Sequence, residues 1–179
     1  ATDYPSNTVA DWNGLRNRDE IRFWADYVNM EKNEYFYDDT EWQAAGNMTP
    51  ENPMGGLMRG GECDRFVILG DENADPVDGD ATFNPILLLL DSELISTSIT
   101  PESLGALEQV PPTTTDTATK TVTFNLRADY ALPSTVGLDL EQSFVFWPET
   151  TDLEFYLSAS SDHRLVAVDV NLIDLAASC

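Results

Sequence analysis

The stretch that decides the predicted fold is TVTFNLRADY, from Thr121 to Tyr130, in which apolar and polar residues alternate without a break. Successive side chains of a β-strand point to opposite faces of the sheet, so the alternation predicts a strand with one face toward a core. The positions assigned to that face are Val122, Phe124, Leu126, Ala128 and Tyr130. The other face is predicted to meet water or a partner.

Further strands are predicted on both sides, where short apolar runs are bounded by turn residues. They are Phe66–Leu69, Ile86–Leu90, Leu94–Ile99, Gln142–Trp147, Leu153–Leu157 and Arg164–Leu172. One short helix is predicted over Pro101–Val110, with Thr100 as its N-cap. About eight antiparallel strands without long helices between them predict an all-β fold, a single jelly-roll β-barrel or sandwich.

The 179 residues fit a single domain, residues 1–179. Residues 1–40 are predicted to form an N-terminal arm or short helix that leads into a first strand near Glu34–Tyr37. Residues 41–65 are predicted to be a loop, because glycine and proline interrupt any periodicity. The main β-barrel is assigned to residues 66–175 and a C-terminal tail to residues 176–179.

The charge of the chain is strongly negative: 32 acidic residues stand against 9 basic ones, for a formal net charge of -23. This composition is typical of a protein that works in molar salt, where a Debye length of about 3 Å screens the repulsion. It argues against a nucleic-acid partner, because neutralising phosphates requires clusters of Lys and Arg. The chain also lacks an apolar run long enough for membrane insertion.

The most acidic stretch, DENADPVDGD from Asp71 to Asp80, begins like the calcium loop of an EF-hand. The pattern then fails, because Pro76 replaces the required glycine and Thr82 replaces the bidentate glutamate. We therefore expect a solvated turn between two strands, and no cofactor or metal is assigned. A calcium site of another kind stays open, with the ligands Asp71, Asp75, Asp78 and Asp80.

His163 is the only histidine, which argues against metal sites that use several histidines. The stretch SASSDHR places Ser160, Ser161 and Asp162 beside it, but no nucleophile-elbow motif is present. We therefore interpret His163 as a turn residue and assign no catalytic residue. A hydrolase that uses carboxylates is the third-ranked alternative, because 32 acidic residues make any chosen pair uninformative.

The two cysteines, Cys63 and Cys179, follow a glycine-rich loop and end the chain. Two free thiols are one interpretation, and a contact with another molecule is the other. A bond within the chain would require Cα atoms within about 7 Å of each other.

The acidic β-domain resembles the smaller major capsid protein of haloarchaeal icosahedral viruses with an internal membrane. The features that carry the resemblance are Ala1 as a processed start, the strand series from Phe66 to Leu172, the acidic surface and the AASC end. The resemblance implies a non-enzymatic shell protein of the virion, built from upright single β-barrels. It also implies self-association, a larger sister capsid protein and other virion proteins as partners, and disulfides between subunits through Cys63 and Cys179.

The alternative to a capsid protein is a secreted or cell-surface β-sandwich of a halophile that serves as an adhesion or binding module. A signal peptide in the encoding gene would favour this alternative.

Overall fold

Two small antiparallel sheets with helices packed against them make up the described chain, as seen in a computed structural model. The structure describes residues 12–29, 31–32, 35, 65–81 and 83–174. Its elements are α1 (Trp12–Tyr27), β1 (Val67–Asp71), α2 (Leu87–Leu90), α3 (Leu104–Gln109), a first 3₁₀ helix (Thr117–Thr119), β2 (Asp129–Pro133), β3 (Leu138–Phe146), a second 3₁₀ helix (Leu153–Ser160) and β4 (Leu165–Leu172).

The first sheet pairs β1 with β2, in a register that runs from Val67 opposite Pro133 to Asp71 opposite Asp129. Helices α1 and α2 pack against this sheet, and the apolar side chains between the layers form its core. The buried members include Ile21 and Val28 from the α1 region, Ile68, Ile86, Leu89, Tyr130 and Leu132. Burial of these residues fixes the end of the sheet at which Asp71 and Asp129 face each other.

The second sheet pairs β3 with β4, with an irregularity between Leu140 and Gln142. Helix α3 packs on it through Ala106, which belongs to a buried cluster with Val145 and Trp147. Gly105 lies so close to the backbone of Trp147 and Pro148 that a Cβ atom there would overlap their carbonyl groups. The glycine therefore allows α3 to lie directly on the end of β3.

The predicted all-β jelly roll is wrong, since the described chain mixes helices with a few short strands. Ile86–Leu90 was predicted as a strand, but Leu87–Leu90 is helical. Leucine favours helices more than β-branched residues do, and an apolar run this short does not distinguish the two by periodicity. Leu153–Leu157 lies in a 3₁₀ helix, and Leu94–Ile99 contributes only an isolated bridge from Ile95 to Ser134.

The alternating stretch Thr121–Tyr130 is a strand only at its end, because β2 begins at Asp129. Within the stretch, Val122 makes an isolated bridge to His163, and Asn125 adopts a left-handed conformation with φ of 67°. The Thr121 hydroxyl accepts hydrogen bonds from the backbone N–H groups of Ala128 and Asp129. The chain therefore turns back on itself where the alternation predicted an extended strand.

Three strand predictions are confirmed in outline: Phe66–Leu69 by β1, Gln142–Trp147 by β3 and Arg164–Leu172 by β4. The predicted helix over Pro101–Val110 is present as α3, but its N-cap is Ser103, whose hydroxyl accepts from the N–H groups of Gly105 and Ala106. Thr100 is therefore not the cap.

The N-terminal region contains a helix of 16 residues, α1, within the predicted arm. Of the predicted first strand only residue 35 is described, and of the predicted loop over residues 41–65 only Arg65. Cys63, Cys179 and the tail over residues 176–179 lie outside the described residues. The single-domain assignment stays a prediction. None of the described helices combines the length and the apolar character that crossing a membrane requires.

Candidate functional site

Asp71 ends β1 and is held in place by the residues that follow it. The backbone N–H of Asn73 donates a hydrogen bond to Asp71 Oδ1 at 3.0 Å, and the Asn73 side-chain amide donates to Oδ2 at 2.9 Å. Asn73 has a positive φ of 48°, a conformation that asparagine tolerates better than most residues. The turn after β1 therefore fixes the orientation of an exposed carboxylate.

Two aspartates face each other at this end of the first sheet, because Asp71 and Asp129 are paired across the strands. Like charges directly opposite each other destabilise a sheet. His163 lies between them: its Nδ1 is 3.0 Å from both carboxylate oxygens of Asp129, and its Nε2 is 4.0 Å from Asp71 Oδ2. The imidazole thus offsets the repulsion between the two carboxylates.

The pKa of His163 is raised above its ordinary value. Partial burial of the ring favours the neutral form, but the hydrogen bond to Asp129 and the charges of Asp129, Asp71 and Asp162 outweigh it. The ring therefore holds its second proton to a higher pH than an isolated histidine does. Its Nε2 side points toward the exposed carboxylate of Asp71.

The backbone around His163 is tied to neighbouring segments. Val122 bridges to His163, and the N–H of Arg164 donates to the carbonyl oxygen of Thr121 at 2.8 Å. The Arg164 guanidinium lies over the Trp147 ring and donates from one nitrogen to the carbonyl oxygens of Ser158, Ser161 and His163. The backbone that carries His163 is therefore held in a fixed position by hydrogen bonds on both sides of the residue.

Asp75 and Asp78, two further acids of the Asp71–Asp80 stretch, serve the fold. Asp75 is buried and accepts hydrogen bonds from the Lys120 ammonium and from the backbone N–H groups of Val77, Asp78 and Arg127. These donors outweigh the effect of burial and hold the pKa of Asp75 below its usual value. Asp78 also accepts from Lys120, at 2.7 Å. Two of the four proposed calcium ligands are thus committed to a buried lysine.

Glu72 follows Asp71 but is buried, with 7% of its surface exposed. Burial raises its pKa to about 7, and the charges of Asp71 and Glu20 add to the shift. Its carbonyl oxygen accepts a hydrogen bond from the Asn17 side chain of α1. Glu72 therefore belongs to the contact between β1 and α1, on the other side of the strand from the exposed carboxylate of Asp71.

In the described part of the chain, Asp71, Asp129 and His163 are the group whose spacing suits a metal ion, with one ligand atom from each lying within 4.8 Å of the others. The donor types, two carboxylates and an imidazole, also fit a divalent cation. The bond between Asp129 and Nδ1 is equally typical of an acid–base pair. The arrangement is thus able to bind a cation or to move a proton.

A family model matches residues 54–163 of the chain, and its description is endonuclease/exonuclease/phosphatase family. The match covers more than half of the sequence. The chain belongs to the endonuclease/exonuclease/phosphatase family. Asp71, Asp129 and His163 all lie within the matched residues, and the family fold, an α/β sandwich, agrees with the mixture of helices and strands. Comparison with curated proteins and with solved structures gave no match.

Membership of this family of enzymes overturns the capsid resemblance and the functional predictions made from it. The interpretation as a structural shell protein is wrong, the prediction that the chain is not an enzyme is wrong, and the adhesion module is unsupported. The predicted virion location, the capsid partners and the intersubunit disulfide through Cys63 and Cys179 are untested.

The sequence pointed to Asp71 and His163, but not to Asp129 or to the relation among the three residues. The Ser161 hydroxyl accepts a hydrogen bond from the backbone N–H of His163, whereas the polar contacts of the imidazole are with Asp129 and Asp71. Asp162 contributes its charge and a carbonyl oxygen that accepts from the N–H of Thr123. A usable signal was that Asp71 comes soon after the predicted strand Phe66–Leu69 and that Asp129 lies near the end of the alternating stretch Thr121–Tyr130.

Proposed function

We propose that the chain is a phosphoester hydrolase whose chemistry is carried by Asp71, Asp129 and His163. The family joins endonucleases, exonucleases and phosphatases, which share hydrolysis of a bond between phosphorus and an ester oxygen. The observation that supports the proposal most is the position of His163, which bridges two facing aspartates within the matched residues.

Asp129 holds His163 in the orientation and protonation state that the reaction needs. Both Asp129 oxygens lie 3.0 Å from Nδ1, so the carboxylate fixes the ring and stabilises the imidazolium. Nε2–H is then free to donate a hydrogen bond to the phosphoryl group and to give its proton to the departing oxygen. A pKa raised above the ordinary value keeps this proton available near neutral pH.

Asp71 is the exposed carboxylate nearest to Nε2, at 4.0 Å. Asn73 holds it by two hydrogen bonds, so its remaining acceptor capacity faces the same space as the imidazole. Asp71 therefore acts on the same side of phosphorus as His163, where its charge keeps the imidazole protonated. As water forms its bond to phosphorus and the ester bond breaks, His163 protonates the departing oxygen and the proton of the water stays on the phosphate product. Asp71 and Asp129 are also the carboxylates that would hold a divalent cation, which when bound would offset the charge of the phosphate.

The substrate that fits this chain is a small phosphoester, not a nucleic-acid polymer. A net charge of -23 repels a chain of phosphates along its whole length. A small ester presents its few charges only at the site, where the imidazolium and a recruited cation can neutralise them. A phosphomonoester of low molecular mass is therefore the substrate class that we propose.

The test is release of inorganic phosphate from a panel of small phosphomonoesters, with Mg²⁺ or Mn²⁺ present. Positioned acid–base groups contribute roughly 10²- to 10⁴-fold, so we expect His163→Ala and Asp71→Asn to lower kcat by amounts in that range. Asp139→Asn, an exposed acid on β3, is the matched control and should leave kcat unchanged. Circular dichroism checks that each variant is folded. Phosphate release by folded His163→Ala at the rate of the unmodified protein would exclude this site.

A further inference from the structure

An exposed aromatic side chain stands beside His163. Phe124 has 43% of its surface exposed, and its ring meets the His163 ring edge to face, with centroids 6.2 Å apart. This separation lies within the range of favourable aromatic pairs. Because only part of the ring is covered by the contact, an apolar surface is left open next to the imidazole.

The turn that carries Phe124 is fixed in place. The N–H of Thr123 donates to the carbonyl oxygen of Asp162 at 2.9 Å, and the N–H of Asn125 donates to that of Val122 at 3.0 Å. The bridge between Val122 and His163 joins this turn directly to the histidine segment. The backbone at Phe124 is held by these contacts and its ring rests against His163, so the residue loses little conformational freedom when a ligand packs on it.

The charged groups around the site leave Phe124 as the surface suited to an uncharged, flat group. Asp71, Asp129 and Asp162 are acidic and surround the imidazole. An aromatic ring attached to the phosphoester would find no favourable charge among these carboxylates, but it can stack on Phe124. Stacking of a nucleobase on an aromatic side chain contributes about 1–3 kcal/mol.

We propose that Phe124 is a specificity-determining residue that selects phosphoesters whose leaving group carries a flat aromatic ring, such as a nucleobase. The proposal rests on the proposed phosphoester hydrolysis and names the substrate feature that this site prefers. Phe124 then contacts the leaving group while His163 contacts the phosphate, because the two rings are direct neighbours with centroids 6.2 Å apart.

The test compares adenosine 5′-monophosphate with ribose 5-phosphate, which share the ester oxygen and differ in the base. From the free energy of stacking, we expect kcat/KM to favour the nucleotide by about 5- to 150-fold. Phe124→Ala should bring this ratio close to one, mainly through KM, while kcat/KM for ribose 5-phosphate stays within about twofold. Phe124→Tyr, which keeps the aromatic face, should retain the preference.

The outcomes separate this inference from the proposal on which it rests. If Phe124→Ala lowers kcat/KM for both substrates equally, the ring only positions His163 and the inference is overturned. If the unmodified protein hydrolyses both esters without preference, the phosphoesterase proposal stands and the role of Phe124 is rejected. If it hydrolyses neither ester nor any other small phosphomonoester, the proposed function itself fails and the inference falls with it.

Discussion

The central feature at the scale of residues is the single histidine between two facing aspartates. Without it, the register of β1 and β2 would place two carboxylates opposite each other at the end of a sheet. The interaction works in both directions, because the aspartates that the histidine separates also stabilise its charged form. The charge state of this group therefore decides both local stability and the proposed chemistry.

Replacing Asp129 with Asn should lower the pKa of His163. The change removes the charge and the carboxylate acceptor at Nδ1, both of which favour the imidazolium, while partial burial still favours the neutral ring. His163 would then lose its proton at a lower pH than in the unmodified protein. Because it is the only histidine of the chain, its imidazole proton signals can be followed by NMR across pH without assignment.

Asp139→Asn serves as the control for this titration. Asp139 is an exposed acid on β3, and its replacement changes the net charge by the same amount as Asp129→Asn does. Its titration should follow that of the unmodified protein. An equal pKa of His163 in the Asp129→Asn variant would show that the carboxylate does not stabilise the imidazolium.

Glu72 makes the stability of the fold depend on pH because its carboxyl group is buried, whereas His163 does so through the charges of its aspartate neighbours. Its pKa rises from 4.5 to about 7 on folding, so its contribution to stability is fully present below the lower value and is lost as pH rises through the higher one. We expect Glu72→Gln to gain about 2 kcal/mol relative to the unmodified protein between pH 5 and pH 8. Urea unfolding in a buffer with a metal chelator measures both proteins at each pH.

The matched variant for this comparison is Glu93→Gln, which neutralises an exposed glutamate. The difference in unfolding free energy between this variant and the unmodified protein should be nearly constant from pH 5 to pH 8. If Glu72→Gln behaves in the same way, the buried carboxyl is not the origin of the pH dependence.

At the scale of elements, the sequence predicted strands where β-branched and aromatic residues dominate and failed where leucine does. Leu165–Leu172 contains three valines and is strand β4, whereas the four leucines of Leu87–Leu90 form a helix. The alternating stretch before Tyr130 failed for another reason. The Thr121 hydroxyl and the left-handed Asn125 turn the chain there, and local side-chain chemistry outweighed periodicity.

Arg164 links three elements, since it follows the second 3₁₀ helix, precedes β4 and stacks on the residue after β3. Arg164→Ala would leave three carbonyl oxygens without this donor and remove the contact with Trp147. We expect a loss of about 3 kcal/mol in the free energy of unfolding, measured with urea. Arg164→Lys keeps the charge but not the planar guanidinium group. Its free energy of unfolding should lie between those of the unmodified protein and of Arg164→Ala.

Arg16→Ala provides the comparison for Arg164, because Arg16 is exposed on α1 and pairs only with Asn13 and Glu20 in the described chain. Its loss should cost less than about 1 kcal/mol. Equal effects of the two substitutions would contradict the bracing role of Arg164.

At the scale of the whole molecule, the candidate site combines three segments that are distant in sequence. Asp71, Asp129 and His163 come together only through the pairing of β1 with β2 and the bridge from Val122. The sequence drew attention to Asp71 and His163 only as single residues. Neither the pairing of β1 with β2 nor the bridge between Val122 and His163 can be predicted from composition or spacing. The acidity of the chain also made the aspartates of the site hard to recognise in the sequence, because many other aspartates lie on the surface or, like Asp75, in buried ion pairs.

The net charge of -23 makes the choice of substrate depend on salt. A matched pair is thymidine 5′-monophosphate and a 5′-phosphorylated thymidine 20-mer, which carry the same terminal ester on one or on many phosphates. At low salt the repulsion extends about 30 Å and acts on the polymer, whereas at 1 M it extends about 3 Å. With Mg²⁺ held constant, kcat/KM for the oligonucleotide should therefore rise at least about tenfold with salt, while the mononucleotide changes much less. The opposite result at low salt would be faster phosphate release from the oligonucleotide than from the mononucleotide. It would mean that the net charge of the protein does not reach the site, and that a polymer is the substrate.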